Sequence, residues 1–274
     1  MPGFTTNKGV VQSGTLVSTI TALKGASWKT YLRVTRTATY GYLASLPLLV
    51  LYETLILVVN RGHVAQVRVG AEVWMKHLLA LAGIPGLALF GAVVLLGGLA
   101  VFLYERKKHV PIRPRYFGWI VLESAIYAIL VGAFVSSAVG MIFTIFPVAP
   151  HTLFVPQGGL ADQSIWMKVA LSIGAGLYEE LLFRVLLVGG MFLVLKRLIP
   201  GSQKAYLIAA VVGALLFSTV HYVGALGDPF TLPSFTFRFI FGLVLNGLFL
   251  VRGFAVAAWT HALYDVMVVA YLVS

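Results

Sequence analysis

Cysteine is absent from this chain of 274 residues. That excludes disulfides, thiolate metal sites and a thiol nucleophile, and leaves no mark of the compartment's redox state. Charge is scarce too: Asp, Glu, Lys and Arg supply 11% of residues, against about a quarter in a soluble domain. Apolar residues, at 59%, take that place. Several apolar runs reach the roughly 20 residues that a helix needs to cross a bilayer, so the chain reads as an integral membrane protein with the lipid bilayer as its surroundings. A membrane barrel would show short alternating segments instead. The fold class expected is therefore all-α, a polytopic transmembrane helical bundle.

Charge, Pro and Gly interrupt the apolar runs and set approximate spans at 38–59, 78–104, 117–146, 166–195, 205–224, 235–251 and 254–273. The count is about seven, bracketed by six and eight. The run 117–146 is long enough to tilt or to continue beyond the membrane. Three regions follow: a polar segment at 1–37, a first set of transmembrane helices at 38–160, and a second set at 161–274 that holds the chemistry. Residues 1–37 lack the pattern of a cleaved signal peptide and are expected to be retained. From Ser13 to Thr35 the mixture of apolar, aromatic and basic residues suits a helix in the headgroup layer or a disordered tail.

Acidic residues number 9 against 20 basic ones, a net charge of +11. In a membrane chain that excess marks topology, and a nucleic-acid partner is excluded. Fourteen of the 20 bases fall on one side: those between Lys8 and Arg36, between Arg106 and Arg115, Lys196, Arg197 and Lys204, and Arg252. Arg61, Arg68, Lys76, Lys168 and Arg238 fall on the other, and Arg184 sits within a span. The positive-inside rule then predicts a cytoplasmic N-terminus, and an odd helix count puts Ser274 outside. Small size and the lack of a soluble domain or cysteine point to a prokaryotic plasma membrane. Oligomeric state is not readable, because Gly-rich spans serve internal packing as readily as dimerisation.

An ionisable residue at membrane depth costs a few kcal/mol unless it is paired or faces water, so these few residues carry the functional question. They are Glu53, Glu123, Glu179, Glu180, Arg184, His221, His261 and Asp265, with Asn246 as a polar companion. Glu53, alone in the first span, and Glu123, near a helix end, read as structural. In Tyr178-Glu179-Glu180-Leu-Leu-Phe-Arg184, helical spacing puts Glu180 and Arg184 on one face as an ion pair and turns Glu179 about 100° away. A carboxylate free in a low-dielectric site is suited to take a proton from water. A bland alternative is that both glutamates merely satisfy Arg184. Phe217-Ser-Thr-Val-His221 and His261-Ala-Leu-Tyr-Asp265 add an imidazole and a second polar pair on two further helices, enough for a base, a switchable imidazole and a stabiliser of developing negative charge.

Taken in order, Glu179-Glu180-x-x-x-Arg184, Phe217-x-x-x-His221 and His261-x-x-x-Asp265 resemble the three-motif signature of the CPBP family, the CAAX prenyl protease and bacteriocin-processing (Abi) intramembrane glutamic proteases. The stretch Phe241-Gly242 through Asn246-Gly247 and Arg252-Gly253 to Trp259-Thr-His261-Ala262 is similar to the link between the second and third motifs. The likeness covers about residues 165–270. It implies an intramembrane endopeptidase in which Glu179 activates the attacking water and His221 positions that water or shares its proton. Glu180 and Arg184 would orient the site, and His261 with Asp265 would bind the scissile carbonyl oxygen. The better-studied prenyl-protein members are described with asparagine where this chain has Asp265. A carboxylate repels an oxyanion, so Asp265 is expected either to be protonated or, the preferred arrangement, to act through His261 by holding its other ring nitrogen.

Other hydrolase classes lack their letters. There is no His-Glu-x-x-His for a zincin-like metalloprotease, no Gly-x-Ser-Gly for a rhomboid-type nucleophile, and no Tyr-Asp followed by Gly-x-Gly-Asp for an aspartyl enzyme. No cofactor is expected. Two alternatives stay open: a zinc site of Glu179, His221 and His261, with or without Asp265, and a non-catalytic bacteriocin-immunity or peptide-binding role. The partner expected is a membrane-associated peptide or protein substrate, cleaved at or near the interface.

Overall fold

The computed structural model describes residues 28–61, 67–85, 88–145, 163–224 and 227–271, and all its regular structure there is helical. In chain order the helices are α1 (Trp28–Thr35), α2 (Ala38–Val59), α3 (Gly70–Leu81), α4 (Ala88–Glu105), α5 (Pro114–Ile145), α6 (165–198), α7 (Ser202–Val220), α8 (Leu232–Arg252) and α9 (Phe254–Tyr271). Helices α2, α5, α7, α8 and α9 are each long and apolar enough to cross a membrane by length and composition. The apolar Val93–Glu105 of α4 and the rod α6 complete seven legs, in line with the count expected from sequence.

Local chemistry starts these legs where they start. Side chains of Thr37, Ser164 and Thr231 accept hydrogen bonds from the backbone N–H groups of Tyr40, Met167 and Ser234, so three helices begin on a capping hydroxyl. Pro233 fits the first turn of α8, where its missing N–H costs nothing. The expected span 78–104 is corrected: it breaks into α3 and α4. Gly83 takes a left-handed φ of 76° just past the end of α3, and Pro85 cannot continue a helix, so the chain turns before re-entering as α4. The span expected at 205–224 stops at Val220. The α5 run is the long one anticipated, at 32 residues. Of the N-terminal segment, Trp28–Thr35 is helical with Tyr31, Val34 and Thr35 buried, while residues 1–27, like Ser274, lie outside the described residues.

Helix α9 is the central leg and packs against α2, α5, α6 and α8. Helices from both sides of residue 160 therefore share one core. Packing between lipid-bathed helices depends on close approach, because lipid removes most of the hydrophobic drive between them. At Gly176 the approach is extreme: a Cβ there would lie 2.5 Å from Ala262 Cβ and 2.6 Å from Ala258 O. Only a residue without a side chain lets α6 and α9 cross at that point, three residues from Glu179.

The rod α6 is not uniform. α-Helical Ile165–Gly174 and Gly189–Leu198 flank two π-helical stretches, Ala175–Glu179 and Leu181–Val188. Wider π turns are uncommon and concentrate at functional sites. Here they coincide with the acidic cluster.

Candidate active site

Glu179, Glu180 and Arg184 come from the π-helical middle of α6, His221 from the residue just past α7, and His261 and Asp265 from α9. The structure brings all six together. Glu180 and Arg184 are fully buried and form the intrahelical ion pair that their spacing predicts, Glu180 Oε2 lying 3.0 Å from Arg184 Nε. The guanidinium also lies over the Phe217 ring, 4.4 Å from its centre. Phe217 is thus both the floor under Arg184 and, through its carbonyl oxygen, the partner of His221.

That partner fixes a tautomer. His221 Nδ1 lies 2.7 Å from Phe217 O, and a carbonyl oxygen only accepts, so Nδ1 carries the hydrogen. In the neutral ring Nε2 is then an acceptor. It faces Glu179 Oε2 at 3.7 Å, too long for a direct hydrogen bond. Glu179 Oε2 is buried and has no hydrogen-bond partner among the described residues. Two acceptors thus face a common point.

His261 sits behind them. Its Nδ1 is 2.8 Å from Glu180 Oε1, while Nε2 lies 3.5 Å from Asp265 Oδ2 and 4.0 Å from Glu179 Oε2. The expectation that Asp265 holds the ring nitrogen turned away from the reaction is therefore corrected: Glu180 holds it. Asp265 shares the other nitrogen's side of the ring with Glu179. The physical reason is the helix crossing at Gly176, which sets α6 close enough for Glu180 to reach across to α9. Aromatic edges of Phe217 and Phe241, with centres 5.9 and 5.4 Å from the imidazole, complete its box.

Glu179, His221, His261 and Asp265 line one cavity of about 350 Å³. Its outer wall includes Trp74 and Lys168, together with Arg68 and Arg238. Among the described residues no group of three or more His, Asp or Glu side chains is arranged to hold a metal ion.

The other membrane-depth residues are each engaged by partners away from the Glu179 cluster. Glu123 binds Arg252 through both carboxylate oxygens, at 2.6 and 2.8 Å. Glu53 is not alone: it pairs with Arg68 and accepts from the Tyr178 hydroxyl at 3.3 Å. Asn246 donates to Ala210 O, joining α8 to α7. Sequence reasoning missed Arg68 and Arg238 as parts of the cavity wall, because loop-end bases were counted only as topology marks. The signal available was the i, i+4 spacing of Arg68 with Glu72 and of Ser234 with Arg238, each of which forms a contact.

The fold and site together define a polytopic helical membrane protein whose buried acid and imidazole groups face a cavity. Residues 161–267 match the family described as "Type II CAAX prenyl endopeptidase Rce1-like", and in that stretch the chain is similar to the CAAX proteases. The match supports an endopeptidase. No curated protein and no solved structure matches the chain.

Proposed function

We propose that the chain is an intramembrane endopeptidase that hydrolyses a peptide bond of a membrane-associated substrate with water activated by Glu179. What carries this reading is the facing pair of acceptors, Glu179 Oε2 and His221 Nε2, on the cavity wall. A water between them can donate one hydrogen to each, which aims its lone pair into the cavity. Glu179 takes a proton as the water oxygen bonds to the scissile carbonyl carbon. His261, in its doubly protonated form, donates Nε2–H to the developing oxyanion. As the tetrahedral intermediate collapses, Glu179 returns the proton to the leaving nitrogen and the C–N bond breaks. Glu180, anchored by Arg184, keeps the imidazole of His261 in register.

Direction in the membrane belongs to the same proposal. The ends of α2, α7 and α9, the starts of α6 and α8, and the cavity all lie at the end of the bundle where bases are few. If Lys and Arg mark the cytoplasmic side, the cavity opens on the opposite face and the N-terminus is cytoplasmic. The substrate class is then a peptide presented from outside, and the membrane a prokaryotic plasma membrane. Because the chain has no cysteine, a single Trp74→Cys or Arg106→Cys suffices to test this with a membrane-impermeant maleimide on intact cells. Labelling of the first and not the second is expected, and the reverse overturns it.

The decisive experiment measures metal content and cleavage of membrane-anchored peptides by the detergent-purified protein, wild type beside Glu179→Gln, with and without chelator. Metal-free cleavage that Glu179→Gln abolishes is expected. Chelator-sensitive cleavage with stoichiometric zinc would instead make Glu179, His221 and His261 metal ligands.

A further inference from the structure

Next to His221, among the described residues, lies a polar knot built on Arg238 in the second turn of α8. Its Nη2 donates to Asp228 Oδ2, and its Nη1 donates to the Tyr222 hydroxyl at 2.9 Å and to Ser234 Oγ. The Tyr222 hydroxyl also bonds Ser234 Oγ at 2.9 Å, and the guanidinium lies over the Tyr222 ring. Two of these partners bracket His221. Tyr222 is the next residue in the chain, and the Asp228 N–H donates to the His221 carbonyl oxygen at 2.9 Å.

His221 needs such support because it stands where helix α7 has run out. Its own N–H makes a loose 3.4 Å bond to Ser218 O, and the backbone leaves the helix immediately after it. Carbonyl groups at a helix end have no intrahelical partner and must find one elsewhere. Here the partner is Asp228, and Asp228 is held in turn by a charge-assisted bond from a neighbouring helix. Backbone contact in this turn is tight: a Cβ at Gly227 would lie 2.9 Å from the carbonyl carbon of Tyr222.

We infer that Arg238 and Asp228 form a strap that positions the His221 ring against Glu179, which makes them positioning residues of the proposed peptidase. The inference rests on that proposed function for its kinetic part alone. A strap of this kind acts on the direction of Nε2, so its loss lowers kcat and leaves KM nearly unchanged. Misplacement by about 1 Å can cost up to about 10²-fold in rate.

The test uses full-length protein in detergent with ¹⁵N-labelled histidine. The ring signal of His221 is identified among the six histidines by its loss in His221→Gln. Asp228→Asn and Arg238→Gln are each expected to shift that signal from the Nδ1–H tautomer pattern and to lower kcat far more than they change KM. Arg238→Lys, which keeps the charge without the two-pronged fork, should fall between. A variant that does not run as wild type on size exclusion is replaced by Gly227→Ala, which disturbs the same turn without touching a charge. An unchanged His221 signal in well-behaved variants overturns the strap. If wild type cleaves no peptide, the proposed function fails, and the ring signal alone still decides for or against the strap.

Discussion

Two glutamates, one toward each end of the bundle, are handled in opposite ways. At the base-rich end, Arg252 gives Nε and Nη2 to the two oxygens of Glu123, Nη1 to Leu32 O at 3.0 Å and Nη2 also to Thr35 Oγ1 at 3.0 Å, while the Tyr31 hydroxyl caps Glu123. Both carboxylate oxygens are used, and the network joins α1, α5 and α8. At the other end Glu179 faces a cavity with Oε2 unpartnered among the described residues. A buried polar group left unsatisfied is costly, so it persists only where something else requires it. A saturated network is architecture, and an unsaturated carboxylate beside a cavity is a candidate for chemistry.

The comparison breaks most visibly at Glu179 and His221. In the proposed mechanism Glu179 is the general base, and replacing a general base or its partner removes a contribution of about 10² to 10⁴ in rate. Glu179→Gln and His221→Ala are therefore expected to abolish peptide cleavage while thermal unfolding in detergent stays near that of wild type. Loss of folding together with activity would make Glu179 architectural after all.

Arg252→Ala and Glu123→Ala should behave in the reverse sense. Removing one member of a buried pair leaves the other charge uncompensated, at a cost of about 3–5 kcal/mol. Both variants should unfold at markedly lower temperature or denaturant, and the molecules that remain folded should cleave at the wild-type rate per molecule. A large fall in rate without loss of stability would mean that the saturated end also takes part in the reaction.

Gly176 connects the two behaviours. A methyl group there meets Ala262 and the backbone of Ala258, and overpacking of this kind costs about 1–3 kcal/mol. Gly176→Ala is expected to reduce stability by that order and to lower the rate as well, because the same crossing lets Glu180 reach His261. Unchanged stability and rate would show that the two helices part without consequence.

Much of this is legible in the sequence. Continuously apolar runs gave the bundle, and the spacing of Glu180 with Arg184 and of His261 with Asp265 gave contacts that the structure contains. What stayed hidden depends on the approach of distant elements. That Glu180 rather than Asp265 takes His261 Nδ1 follows from a crossing at Gly176, and nothing in the spacing within α9 encodes it. The π-helical turns of α6 carry no separate mark in the apolar and charged spacing that announces the helix. The break between α3 and α4 was readable from Gly83 and Pro85, and was masked by the length of the apolar run around them.

Asp265 offers the smallest effect and the finest distinction. It lies 3.5 Å from His261 Nε2, on the side of the ring that faces Glu179, while Glu180 makes the shorter contact, 2.8 Å to Nδ1. An amide at that position keeps the shape, removes a negative charge beside the oxyanion and adds a donor. Asp265→Asn is therefore expected to retain cleavage within about tenfold of wild type, far from the loss of about 10² to 10⁴ expected for the base. Glu180→Gln should cost more than Asp265→Asn, since it unpairs the buried Arg184 and weakens the bond to His261 Nδ1. The two variants, compared for rate and stability in one preparation, separate the residue that orients the imidazole from the one that merely stands near it. An inactive Asp265→Asn with intact folding would assign the orienting or proton-carrying role to Asp265 and reverse the order of the pair.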